Sequence, residues 1–212
     1  MTSRKKRIDF RVYLITDRKL FPDEDMMFRG IEQAVKGGIK AVQLREKDLI
    51  TGDLLAMAYR LRELTKKHNA RLFINDRVDI AMAVEADGVH LGGTGIPAGA
   101  ARKVAGEQMI VGRSTHSIDE AVEAEKAGAD FITFGPVFET PSKRQYGKPL
   151  GLDMLRKAAG RVSLPVFAIG GIKEESIRDI MAAGAYGIAL ISGILASDDI
   201  QSSTENYVRT IS

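Results

Sequence analysis

The chain has 212 residues, a net charge of +3, and 44% hydrophobic, 28% charged and 6% aromatic residues, which suits an ordinary globular protein long enough for one α/β barrel. It contains no cysteine, which excludes disulfides, thiolate metal sites and a cysteine nucleophile and fits a reducing cytoplasm. No apolar run approaches the roughly 18 residues of a membrane span, so no membrane association is expected.

The basic cluster Arg4-Lys5-Lys6-Arg7 lacks the interleaved aromatics of a nucleic-acid grip, and a strand rather than an apolar signal region follows it. Residues 1–10 are therefore read as a solvated basic arm and residues 11–212 as a single domain with no nucleic-acid partner. Apolar runs of strand length then recur at Val12–Ile15, Ala41–Leu44, Leu72–Ile74, Gly88–Leu91, Met109–Val111, Phe131–Phe134, Val166–Ile169 and Gly187–Ile191. Between them lie helical patterns. One runs from Met26 to Lys36; another places Leu54, Leu55, Ala58, Leu61 and Leu64 on one face. Ser117-Ile118-Asp119-Glu120 has the form of a capping box for a helix through Lys126. Several helical patterns end in Gly and pass directly into a strand, as at Gly37-Gly38, Gly128 and Gly184.

Strands alternating with helices imply parallel pairing and right-handed crossovers. Eight such units without a long linker predict a closed (β/α)8 TIM barrel. An open doubly wound sheet would carry a glycine-rich turn after its first strand, but Thr16-Asp17-Arg18 stands there.

In a barrel, function belongs at the C-terminal strand ends. Those ends read Thr16-Asp17-Arg18, Arg45-Glu46-Lys47, Asn75-Asp76-Arg77, Gly92-Gly93-Thr94-Gly95, Arg113-Ser114-Thr115-His116, Gly135-Pro136 with a loop to Pro149, Gly170-Gly171, and Ser192-Gly193. In the second strand, Gln43, Arg45 and Lys47 alternate with Leu44 and Glu46, so an amide, a guanidinium and an ammonium share one face. Such a set suits an anion, although a solvated strand end would look the same. Gly170-Gly171 and Ile191-Ser192-Gly193 sit where barrels often cradle phosphate. Asp76 offers a carboxylate to a hard cation such as Mg²⁺; the rival reading is a helix N-cap. Lys143, with Thr140 and Ser142, lies in a loop long enough to suggest function. His116 could serve as a general acid or base, and His90 reads as a barrel-lining histidine.

Taken in order, Tyr13-Leu14-Ile15-Thr16-Asp17, Gln43-Leu44-Arg45-Glu46-Lys47, Asn75-Asp76-Arg77-Val78-Asp79, Gly88-Val89-His90-Leu91-Gly92, Gly135-Pro136-Val137-Phe138, Ile169-Gly170-Gly171-Ile172 and Ile191-Ser192 resemble the thiamine phosphate synthase and TenI family. The resemblance covers residues 11 to 196 and implies a (β/α)8 barrel. It further implies a Mg²⁺-assisted transferase that joins a hydroxymethylpyrimidine diphosphate to a thiazole phosphate, releasing pyrophosphate and forming thiamine phosphate. By this resemblance Gln43, Leu44, Arg45, Glu46, Lys47, Asn75, Ser114 and Lys143 hold the pyrimidine diphosphate, with Arg45, Lys47, Ser114 and Lys143 as the catalytic set. Thr140, Pro141, Ser142, Gly171, Ile191 and Ser192 hold the thiazole phosphate, and Asp76 holds the metal. Gly95 stands about where the family's synthases carry a second acidic ligand. The stretch from Gly112 to Ser117 resembles the TenI branch instead, for which His116 is the acid/base of a thiazole phosphate tautomerase. A non-catalytic thiazole- or thiamine-phosphate-binding regulator is the third alternative. A homo-oligomer is left open.

Overall fold

Each apolar run forms a strand, and the strands close on themselves. The structure, a computed structural model, describes residues 8–140 and 148–211. β1 (Val12–Ile15), β2 (Ala41–Leu44), β3 (Arg71–Asn75), β4 (Gly88–Leu91), β5 (Ile110–Thr115), β6 (Phe131–Phe134), β7 (Val166–Ile169) and β8 (Gly187–Leu190) follow chain order around a closed barrel. Every neighbouring pair is parallel, and β1 pairs with β8 to close the ring. The helices between strands are α1 (Glu24–Lys36), α2 (Thr51–Lys67), α3 (Val78–Ala83), α4 (Ala98–Ala105), α5 (Ile118–Lys126), α6 (Gly151–Arg161) and α7 (Ile177–Ala182). Short α8 (Ser192–Leu195) and α9 (Ile200–Ile211) follow β8. This is a (β/α)8 TIM barrel, as the alternation predicts.

Side chains cap two of the helix starts, the expected Ser117 and also Asp23. Asp23 caps α1 by accepting from the Met26 N–H at 2.8 Å. Ser117 caps α5 by accepting from the Glu120 N–H at 3.1 Å. The expected capping box is only half formed, because Glu120 accepts from the His116 N–H at 2.7 Å rather than from Ser117.

Strand alternation sorts the apolar side chains into two cores. Val42, Leu44, Leu72, Ile74, Val89, Val111, Ile132 and Phe134 pack outward under the helices. Tyr13, Ile15, Ala41, Phe73, Ile110, Phe131, Phe167 and Ala189 fill the interior. The interior is unusually aromatic, and glycines make the room: a Cβ at Gly88 would strike Phe73, one at Gly112 Phe131, and one at Gly187 Phe167.

The barrel floor corrects the boundary read from the sequence. Ile8 and Phe10 are only 3% and 2% exposed. The Phe10 ring lies 5.3–5.9 Å from the rings of Tyr13, Phe73, Phe131 and Phe167 and seals the N-terminal end. The domain therefore begins by Ile8, within the stretch read as a solvated arm. Asp9 faces outward between these two residues and makes a bidentate pair with Arg71 at 2.7 and 2.8 Å. The nearby charges obscured this two-residue alternation. At the same end Arg102, itself 9% exposed, pairs with fully shielded Asp130 at 2.5 Å, tying α4 to β5 and β6. Among the described residues no helix is long and apolar enough to cross a membrane.

Candidate active site

β2 supplies the cationic side of the mouth. Gln43 points into the barrel, 1% exposed, and its Nε2 donates to Tyr13 Oη at 3.1 Å. Burial pushes the Tyr13 phenol well above its usual value, so the hydroxyl stays protonated. One step nearer the mouth, half-buried Arg45 is held by its backbone N–H, which donates to Thr16 Oγ1 at 3.0 Å. Lys47 follows, exposed, with Nζ 3.9 Å from Asp76 Oδ2. Gln43, Arg45 and Lys47 thus climb one face from the interior to the rim.

The side chains of the two intervening residues turn away from that face, so any contact that Leu44 and Glu46 make with the diphosphate falls to their backbone. The Leu44 side chain is in the outer core, 1% exposed. The Glu46 carboxylate is buried in the β1 loop, where Oε1 accepts from Thr16 Oγ1 at 2.7 Å and from the Arg18 N–H at 3.1 Å. Burial raises the Glu46 pKa against those hydrogen bonds. Its role is to brace the loops after β1 and β2, and neither side chain reaches the mouth.

Asp76 decides the opposite side. Its backbone is left-handed, with φ 59°, a conformation that Asp tolerates better than most residues. This turn takes the carboxylate away from α3, whose N-cap is Arg77 without a side-chain cap bond. The N-cap reading is thereby excluded. Instead Oδ1 accepts from the Gly92 N–H at 2.6 Å and Oδ2 from Asn75 Nδ2 at 2.8 Å. Gly95 packs directly on Oδ1, where any Cβ would collide. Among the described residues no group of three or more His, Cys, Asp and Glu side chains could hold a metal. Asp76 alone fits a hard cation of the Mg²⁺ type, which commonly uses one carboxylate together with substrate phosphates and water. Each carboxylate oxygen keeps a lone pair beyond its single hydrogen bond.

Beneath these groups sits His90, paired in register with Asn75 on one side and Gly112 on the other. Its Nε2 lies 3.1 Å from Ser114 Oγ and 3.5 Å from Thr133 Oγ1. Burial, reinforced by the charges of Arg113 and Arg45, lowers its pKa to about 3, so the ring is neutral. β5 runs on through Thr115, further than its apolar run suggested, and this carries Ser114 inward to His90. Arg113, facing outward, donates to Gly93 O and Ile96 O and pins the loop after β4.

The second predicted anion site lies at the ends of β7 and β8. Gly170 and Gly171 have φ of 98° and 65°, conformations that favour glycine. Both are also crowded: a Cβ at Gly170 would hit Pro136 and one at Gly171 would hit Phe138 and the Glu139 carbonyl. The double glycine therefore lets the β6 loop cross the end of β7, where Val137 and Phe138 N–H donate to Ile169 and Gly170 carbonyls at 2.9 and 3.0 Å. Ile191 is the N-cap of α8 and Ser192 its first residue; the Ile194 and Leu195 N–H groups both donate to the Ile191 carbonyl, at 3.2 and 3.0 Å. Thr140 belongs to the described part of the β6 loop, whereas Pro141, Ser142 and Lys143 lie outside the described residues. His116, exposed, has its Nδ1 against the Gly135 carbonyl.

Sequence reasoning missed Tyr13, Thr16 and Thr133 as parts of the site. The signal for Tyr13 and Thr133 was inward alternation on β1 and β6, but their partners come from other strands.

Fold and mouth together define a (β/α)8-barrel enzyme whose C-terminal face carries a cluster of cationic and amide donors beside a single carboxylate. The family described as "Thiamine monophosphate synthase" matches residues 12–194. A putative thiamine-phosphate synthase of Geobacter sulfurreducens is 51% identical over 91% of this chain and 90% of its own length. A thiamine-phosphate synthase of Clostridium novyi is 43% identical over 93% and 97%. Among solved structures, a thiamine phosphate pyrophosphorylase from Pyrococcus furiosus aligns with a TM-score of 0.88 at 38% identity, covering 97% of each chain. The chain belongs to the thiamine monophosphate synthase family.

Proposed function

We propose that this chain is a thiamine-phosphate synthase. It transfers the pyrimidinylmethyl group of 4-amino-2-methyl-5-hydroxymethylpyrimidine diphosphate to the ring nitrogen of a thiazole phosphate and releases pyrophosphate. The observation that carries this reading is that Arg45 and Lys47, spaced two apart at the end of β2, share the barrel mouth with Asn75, Ser114 and the Asp76 carboxylate. A tautomerase has no diphosphate to hold and no use for such a set.

On this reading Gln43 and the neutral aromatic interior take the pyrimidine, with Gln43 aligned by Tyr13. Arg45, Lys47, Asn75 and Ser114 hold the diphosphate. As the carbon–oxygen bond breaks, negative charge grows on the departing pyrophosphate. Fixed cations stabilise that charge more in the transition state than in the ground state. Asp76 would hold Mg²⁺ against the diphosphate oxygens, and the ion would add charge neutralisation there. Thr140, Pro141, Ser142, Gly171, Ile191 and Ser192 are assigned to the thiazole phosphate, and Lys143 to the diphosphate. The cytoplasm, where charged phosphorylated substrates are retained, is the proposed site of action.

The test is a turnover assay with both substrates and Mg²⁺. Formation of thiamine phosphate and pyrophosphate in equal amounts is expected. Tight binding of thiazole phosphate without any product would replace the synthase with a binding regulator. Proton exchange on the thiazole alone would replace it with a tautomerase.

A further inference from the structure

His90 has one nitrogen engaged and one stranded. Nε2 faces the Ser114 and Thr133 hydroxyls, whereas Nδ1 is buried without a partner. The reason is local: β5 presents Gly112 to that edge of the ring, and a Cβ there would stand 2.6 Å from Nδ1. Among the described residues no polar atom is in place to bond to it.

A neutral imidazole carries one hydrogen. Placed on Nδ1, that hydrogen would be a buried donor with no acceptor. Placed on Nε2, it is used, and only a bare lone pair is left over. Orphaned buried N–H groups are rarer than underused acceptors, so the hydrogen belongs on Nε2. A second proton on Nδ1 would meet the same lack of an acceptor, so the ring stays neutral. Nε2–H then donates to Ser114 Oγ. A hydroxyl that accepts from the barrel interior is free to aim its own hydrogen outward. With the other tautomer, Nε2 would draw the Ser114 hydrogen inward and turn oxygen lone pairs toward an incoming anion.

We propose that His90 is a positioning residue that makes Ser114 a hydrogen-bond donor to the diphosphate by fixing the direction of its hydroxyl. This rests on the assignment of Ser114 to the diphosphate made above. It gives the buried histidine a function in binding, in addition to filling the barrel.

The test uses the intact chain with both substrates. His90→Gln keeps an N–H near the place of Nε2, while His90→Asn offers one near the place of Nδ1. The expected result is a KM for the pyrimidine diphosphate raised about tenfold in His90→Asn and within about threefold of the unmutated chain in His90→Gln, as loss of one hydrogen bond to a charged group implies. The KM for thiazole phosphate stays unchanged in both. In a Ser114→Ala background, His90→Asn adds no further loss. Equal impairment of the two His90 variants, or a full additional loss in that background, would overturn the proposal. ¹⁵N NMR of the unmutated protein gives a readout that needs no variant to fold. The His90 signal, recognised among the three histidines by its constancy from neutral to mildly acidic pH, should show Nε2 protonated. A protonated Nδ1 would overturn the proposal even in an active enzyme. Absence of turnover by the unmutated chain would instead remove the synthase reading itself.

Discussion

Asp76 Oδ1 sits where a side chain at position 95 would have to go, and it accepts the Gly92 N–H at 2.6 Å from that place. The glycine and the carboxylate are therefore one feature: a Cβ at residue 95 would make the Asp76 carboxylate shift from this position.

Gly95→Ala should push the Asp76 carboxylate off Gly92. On the proposed metal assignment, the Mg²⁺ concentration for half-maximal turnover then rises about tenfold, the equivalent of one lost charge-assisted hydrogen bond. Asp76→Asn tests the charge without the strain, because Asn also tolerates the left-handed backbone. It should fold normally and respond weakly to Mg²⁺. Titration of turnover against Mg²⁺ measures both, and an unaltered response in the two variants would remove Asp76 as the metal ligand.

Arg45→Ala should separate the two substrate subsites. A hydrogen bond to a charged group is worth about 1.5–3 kcal/mol, so the Kd for the pyrimidine diphosphate should rise about 10- to 100-fold. The Kd for thiazole phosphate, assigned in the proposal to the ends of β7 and β8, should change less than about twofold on the same scale. Calorimetry with each ligand decides the matter, and equal losses would contradict the assignment.

His90 should leave a mark on acid stability. Its pKa is lowered from 6.5 to about 3 on folding. Between those values the unfolded chain binds a proton that the folded chain refuses. Its contribution is therefore complete above pH 6.5 and is lost as the pH falls toward 3. The slope is at most about 1.4 kcal/mol per pH unit. Urea unfolding of the unmutated chain and of His90→Gln across this range should show the shallower fall in the variant. Parallel curves would mean that the imidazole takes up its proton without unfolding.

Asp130→Ala should damage stability and spare the chemistry. It strips the carboxylate from buried Arg102, which retains its bonds to backbone carbonyls. Leaving a buried charge uncompensated costs about 3–5 kcal/mol, and the retained carbonyls favour the lower end. Denaturant midpoints should fall accordingly. Because Asp130 precedes β6, at the end of the barrel opposite the mouth, KM for both substrates should hold. A large KM change would mean that the two ends of the barrel are coupled.

Periodicity was enough to read the eight strands, the interleaved helices and the polar strand ends, since alternation by two and by 3.6 is written in neighbouring residues. It also placed Gln43, Arg45 and Lys47 on one face. It could not separate residues that act at the mouth from those that brace it. Glu46 has the same charge and flanks as a ligand would, yet Thr16, 30 residues away, claims its carboxylate. Gly170-Gly171 looks like an anion cradle in sequence and is at least as much a passage for the β6 loop.

The linear chain by itself determined that this would be an eight-stranded α/β barrel with polar C-terminal strand ends, because backbone geometry turns a local pattern into strands, helices and inward or outward faces. The tertiary structure decided the partnerships: Gln43 with Tyr13, Asp76 with Gly92, His90 with Ser114. Each joins residues from different strands or loops, and which atoms meet depends on strand register and on how the ring closes, quantities set by the packing of the whole barrel rather than by any one segment.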